Sequence, residues 1–203
     1  MAFLTATPPR GASRGSALRA RGRFAALMLA LVALPLAAST ASAPAEPVRE
    51  YQIKAVFLFN FTQFVEWPPG AFSDARSPFV IGVLGEDPFG TYLDDVVRGE
   101  RVNDRPLVVQ RCRNTEGAAA CHILFISRSE APRFEQILTD LRGRNILTVG
   151  DAKDFARRGG MIRLFTENNK IRLRINVDAA KAAGLTISSK LLRPSEVVTQ
   201  GKD

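Results

Sequence analysis

The feature that most constrains this chain is a series of short apolar runs separated by stretches of helical spacing. Phe79-Val-Ile-Gly-Val-Leu-Gly85, Arg105-Pro-Leu-Val-Val-Gln110, Cys121-His-Ile-Leu-Phe-Ile126 and Asn145-Ile-Leu-Thr-Val149 are rich in β-branched and aliphatic residues and too short for helices. They read as strands, the first and third buried on both faces. Met161–Phe165 and Lys170–Ile175 follow as two more strands, and Glu167-Asn168-Asn169 supplies the turn between them. Strict alternation in Lys-Ile-Arg-Leu-Arg-Ile fits an antiparallel hairpin. Strands alternating with helices, then a hairpin, define a single α/β domain: a mixed β-sheet flanked by helices, with an antiparallel hairpin in its C-terminal half.

The intervening stretches set the helices. Between Arg49 and Trp67, residues Ile53, Val56, Phe57, Asn60, Phe61, Phe64 and Val65 follow i, i+3, i+4, i+7 spacing, and Pro68-Pro69-Gly70 ends the pattern. Leu58 and Phe59 fall off that stripe, so the helix is apolar nearly all round and is either centrally buried or partly an interface. A short helix is expected over Asp87–Val97, with Asp87 as N-cap and Pro88 at the first helical position. Others are expected over Ser129–Leu141, from Gly150 with Asp151 as its cap, and over Asn176–Ala183 with Gly184 as its stop.

The N-terminus changes how the charge is read. Residues 1–43 hold no acidic side chain and five arginines, followed by the apolar block Phe24–Ala38 and the small residues Ser39–Ala43. That order describes a secretory signal peptide, with cleavage between about 41 and 45, and leaves residues 46–203 as the exported domain. Removing those five arginines from the formal net charge of +8 leaves +3. Such a balance excludes the concentrated basic face of a nucleic-acid binder. No later apolar run is long enough to span a membrane.

Chemistry-bearing motifs are scarce. One His and two Cys leave little room for a zinc site, and neither a metal nor a cofactor is expected. Gly82, Gly85 and Gly90 lack dinucleotide-binding spacing, and there is no phosphate loop and no nucleophile elbow. Cys121 and His122 are adjacent in a strand and point to opposite faces, so they cannot form a thiol–base pair. Asp94, Asp95, Asp151 and Asp154 fall on expected helices, as surface or capping groups. No catalytic residue is assigned, and the chain is read as a non-enzyme. In an oxidising compartment Cys112 and Cys121 are expected to form a disulfide, either structural or a redox switch. Arg163 on one hairpin strand, and Lys170, Arg172 and Arg174 on the other, form either a solvated outer face or a basic surface for an acidic partner.

The ordered segments Tyr51–Pro68, Cys121–Ser127, Ile146–Asp151, Gly159–Ile162, Lys170–Asn176 and Ser188–Leu192 resemble the YfiR-like family of bacterial periplasmic proteins over essentially the whole exported chain. The resemblance implies a regulator that binds the periplasmic sensing domain of an inner-membrane diguanylate cyclase, holds it inactive and so controls cyclic-di-GMP and biofilm behaviour. Other relatives would serve other membrane sensor proteins. It places Ile162 and Lys170 on the partner-facing surface, beside Arg172 and Arg174, and it implies disulfide chemistry as a redox input. With only Cys112 and Cys121, this chain lacks the residues for a multi-disulfide switch. The alternative reading is a periplasmic small-molecule sensor feeding a histidine kinase. A homodimer through paired edge strands is compatible with either.

Overall fold

Phe79-Val-Ile-Gly-Val-Leu84 carries no polar side chain on either face, and it forms a strand buried along its whole length at the centre of the sheet. The computed structural model describes residues 46–199; the expected signal segment, residues 1–43, lies outside them. In chain order the elements are α1 (Glu46–Phe64), β1 (Val65–Glu66), β2 (Phe79–Leu84), α2 (Tyr92–Val97), β3 (Arg101–Val102), β4 (Arg105–Cys112), β5 (Ile123–Ile126), α3 (Phe134–Asp140), β6 (Leu147–Gly150), β7 (Ile162–Glu167), β8 (Lys170–Asn176), α4 (Val177–Ala182), β9 (Thr186–Ile187), α5 (Ser189–Leu192) and β10 (Glu196–Val198).

Eight strands form one mixed sheet in the order β10-β8-β7-β6-β5-β2-β4-β3. The five from β4 across to β7 run parallel. Strand β8 returns antiparallel to β7, and β10 adds parallel to β8. Helices cover both faces, as parallel strands require. Ile81, Val83, Ile123 and Phe125 face α1 and α2, whereas Val80, Leu84, Leu124 and Ile126 face Phe134 and Ile137 of α3. The expected α/β architecture and its hairpin are what the chain adopts.

Helix α1 is rotated from the sequence expectation. Its core face is Lys54, Ala55, Leu58, Phe61 and Thr62, whereas Ile53 and Val56 are 44% and 38% exposed. With apolar residues nearly all round, periodicity alone does not fix the rotation. Lys54 fixes it, because its ammonium is fully buried and reaches a buried carboxylate on the sheet.

Three other helices differ from expectation. Asp87 does not cap a helix; its Oδ1 accepts the Phe89 N–H at 2.8 Å in a turn, and α2 begins only at Tyr92. Pro132 holds Arg128–Arg133 in a 3-10 turn that passes into α3. The segment after Gly150 forms turns, because the Phe155 ring lies where Cβ atoms on Gly150 and Gly160 would be, at 2.3 and 2.2 Å. The helix expected from Asn176 is present as α4, and Asn176 caps it, its side chain accepting the Ala179 N–H at 2.9 Å. Three features carry too little sequence signal to be anticipated: the β1–β9 pair, β10, and the β3–β4 hairpin across Asn103-Asp104, both with positive φ.

Gly82 decides how the second face packs. It lies in β2 between β4 and β5, and a Cβ there would stand 2.4 Å from Cys121 Sγ and 2.9 Å from Leu124 Cδ1. The missing side chain lets Cys112 and Cys121 reach each other across the strand between them. Gly82→Ala is therefore expected to destabilise the fold by about 1–3 kcal/mol in chemical denaturation. Adding Cys121→Ala should recover part of that loss. Additive losses in the double variant would contradict this account of the contact.

Candidate functional site

Alternation in Lys170-Ile-Arg-Leu-Arg-Ile175 sends Leu173 and Ile175 into the core and Lys170, Arg172 and Arg174 to the outer face. The turn residues Asn168 and Asn169 both take positive φ, as a two-residue hairpin loop requires. Register then sets Arg163 opposite Arg174, Phe165 opposite Arg172 and Glu167 opposite Lys170. Like charges facing each other across strands are destabilising unless something intervenes. Here the Phe165 ring does, with the guanidinium carbons of Arg163 and Arg174 at 4.9 and 5.1 Å from its centroid. Arg174 also meets Glu196 of β10, with Nε and Nη2 at 2.7 and 2.5 Å from Oε2. Arg172 is more loosely paired, with Nε 3.7 Å from Glu167. Arg163 Nε is buried without a hydrogen bond, and burial first, then Arg174, lowers the pKa of that guanidinium. Four cations against two carboxylates leave this face net positive.

The structure brings together three of the four residues expected to meet a partner. Lys170 and Arg172 are exposed and Arg174 is half-buried beside them. Ile162 is different: it is 0% exposed, opposite Ile175, inside the core. Its side chain supports the hairpin from beneath and offers no contact surface. Sequence reading missed Phe165 and Glu196. Phe165 alternates with Leu164 and was legible as an outward aromatic; Glu196 belongs to a strand too short to signal itself.

A second polar cluster lies at the carboxyl end of the central strands. Asp151, just after β6, is expected from sequence to be a surface helix cap, but it is buried. Its Oδ2 lies 2.6 Å from Lys54 Nζ and accepts the Tyr51 hydroxyl at 2.8 Å. Arg128 Nε stands 3.1 Å from Oδ1, an attraction of opposite charges too poorly aligned to be a hydrogen bond. Glu50 completes the set, 2.5 Å from Lys54 Nζ. Burial, then the bond to Asp151, pushes the Tyr51 hydroxyl well above its usual range. The cluster ties α1 to the carboxyl end of β6.

His122 and the cysteines are likewise committed to the fold. The His122 ring stacks on Phe72 and Phe79 at 4.4 and 4.9 Å. Its Nδ1 accepts the Val80 N–H at 3.1 Å, and Nε2 donates to Ala71 O at 3.2 Å. Cys112 and Cys121 are both buried, on the opposite face of the sheet, as two thiols with sulfurs 3.8 Å apart; the bridge expected from sequence is not closed. Burial raises both thiol pKa values, so neither is an activated nucleophile. Among the described residues no His, Cys, Asp and Glu group could hold a metal ion. Nor is any helix there long and apolar enough to cross a membrane.

The fold is an α/β domain whose distinctive surface is a cationic hairpin. The family described as YfiR/HmsC-like (DUF4154) matches residues 51–196, and the chain belongs to it. This is a family of periplasmic regulators associated with cyclic-di-GMP signalling. No curated protein matches the chain. Among solved structures it is similar to the ABC domain in complex with L-Trp from Streptococcus pneumonia, at 12% identity and a TM-score of 0.48, covering 73% of this chain and 60% of that one.

The geometry of His122 gives a pH prediction. Burial, the largest cause, lowers its pKa below the ordinary histidine value of about 6.5. The unfolded chain therefore takes up a proton before the folded one does. Stability should be full above that value and fall as pH drops from it towards the folded pKa. His122→Asn, which cannot titrate, should flatten the limb of a denaturation series between roughly pH 5 and 7. An unchanged slope in the variant would contradict the assignment.

Proposed function

We propose that this protein is exported to the periplasm and there binds the sensing domain of a membrane-anchored signalling enzyme, a diguanylate cyclase, and holds it inactive. One observation carries this reading: the outer face of the β7–β8 hairpin concentrates Arg163, Lys170, Arg172 and Arg174 around an aromatic ring with incomplete neutralisation. Such a surface suits an acidic partner, whose approach it accelerates and orients. Inhibition requires tighter binding to the inactive than to the active form of the enzyme. A second reading, a small-molecule sensor feeding a histidine kinase, draws on a groove of about 510 Å³ bordered by Trp67, Phe72, Phe79 and Arg101.

The cysteine pair supplies a candidate input. In an oxidising compartment Cys112 and Cys121 would close a short loop, and a disulfide there would stabilise by about 2–3 kcal/mol on the chain-entropy model. Labelling of the exported protein under non-reducing, denaturing conditions should find no free thiol; two labelled cysteines would contradict the bridge.

The function is tested by using residues 46–203 as bait on bacterial membranes, wild type against Lys170→Glu. Recovery of a membrane cyclase by wild type, and several-fold less by the variant at low salt, is the expected result. Recovery of a kinase by both would favour the sensor reading. Recovery of no membrane protein, with and without reductant, would overturn the regulator reading.

A further inference from the structure

The outward turn of α1 leaves three of its aliphatic side chains in solvent. Val48, Ile53 and Val56 are 51%, 44% and 38% exposed, and they follow one another along about 12 Å of helix. Beside them, between α1 and the tip of the β7–β8 hairpin, runs a groove of about 480 Å³. Ile53 and Ile171 give it an apolar floor, Thr166 and Asn169 a polar rim, and Arg49 and Lys170 its charge. Neither Arg49 nor Lys170 makes an ion pair among the described residues. Glu50, the acid in the groove, is already held by Lys54 at 2.5 Å. The N-terminal end of α1 adds its own positive partial charge on this side.

We infer that this groove docks an amphipathic helical segment of the membrane partner, with apolar residues at i, i+4 and i+7 and acidic residues flanking them. The inference rests on the regulator reading and names the chemistry of what that reading requires. Apolar points spaced along a helix are matched by the apolar stripe of another helix laid against it. Two unpaired cations on the rim select for carboxylates and select against a basic segment. They also disfavour a second copy of this chain across the groove, because a two-fold contact would bring Arg49 and Lys170 against their own equivalents. The groove lies on the α1 side of the hairpin, opposite the Phe165 face, so the partner would grip the hairpin from both sides with Lys170 at the tip.

The test places a photoreactive phenylalanine analogue at Ile53, and in separate proteins at Phe165 and Val108. Val108 is an exposed position on β4, on the far side of the sheet. Each protein is irradiated with membranes carrying the partner recovered by wild-type bait. Position 53 should cross-link to a partner peptide in which acidic residues lie three or four positions from apolar ones, and position 108 should not. Arg49→Glu should reduce the position-53 yield at least about ten-fold, a loss of about 1.4 kcal/mol. Ile53→Asp, checked for folding by circular dichroism, should weaken binding in the same direction. Cross-linking from Phe165 alone would overturn the groove and leave the regulator reading standing. Cross-linking from position 53 to a second copy of the chain, or to a segment without acidic residues, would also overturn it. Failure of wild-type bait to recover any membrane partner would remove the regulator reading, and the groove with it.

Discussion

A buried lysine sets the orientation on which the rest of the molecule depends. Lys54 has no exposed surface, and a charge in that position persists only if paired and hydrogen-bonded. Asp151, equally buried, stands at the point where β6 leaves the sheet and is 2.6 Å away. The pair therefore ties the first helix to the carboxyl end of the central strands across almost a hundred residues of chain. Tyr51 donates to the same Asp151 oxygen, Glu50 pairs with Lys54, and Arg128 adds opposite charge beside Oδ1 without a hydrogen bond. Removing one partner of such a pair costs about 3–5 kcal/mol, because the other is left buried and uncompensated. The interaction specifies rotation more than it supplies stability: hydrophobic residues on every side would let α1 settle in several orientations, and the ion pair permits one.

That rotation links the core to the surface. Leu58 and Phe61 go inward into the core that α1 shares with the sheet, while Ile53 and Val56 remain outside. The hairpin that follows β6 rises beside the exposed stripe, its inner face closed by Leu164, Leu173 and Ile175 and its outer face crowded with guanidinium groups around Phe165. Both surfaces suited to a partner thus sit on neighbouring elements whose cores are shared. On the opposite face of the sheet, the thiols meet across Gly82, remote from the α1 side.

The parts legible in the sequence were those in which one physical signal dominates. Continuous apolar runs located β2 and β5, and strict alternation gave β8 with its outward Lys170, Arg172 and Arg174. The rotation of α1 was not legible, because Lys54 reads as an ordinary surface lysine until Asp151 is known to be buried, and Asp151 reads as a helix cap. The turns after Gly150 are not legible either, because ordinary helix residues surround Phe155, whose ring packs against glycine backbone instead. Family resemblance puts Ile162 on the partner surface, whereas its register opposite Ile175 puts it in the core.

The most direct test of the account is a double-mutant cycle on Lys54→Met and Asp151→Leu, read by chemical denaturation together with hydrogen exchange over α1. Each single variant should lose about 3–5 kcal/mol and the double variant far less than their sum, a coupling of at least about 2 kcal/mol. Exchange protection of α1 should fall in both singles and return in the double. Additive losses, or single variants as stable as wild type, would contradict the claim that this buried pair sets the rotation of α1.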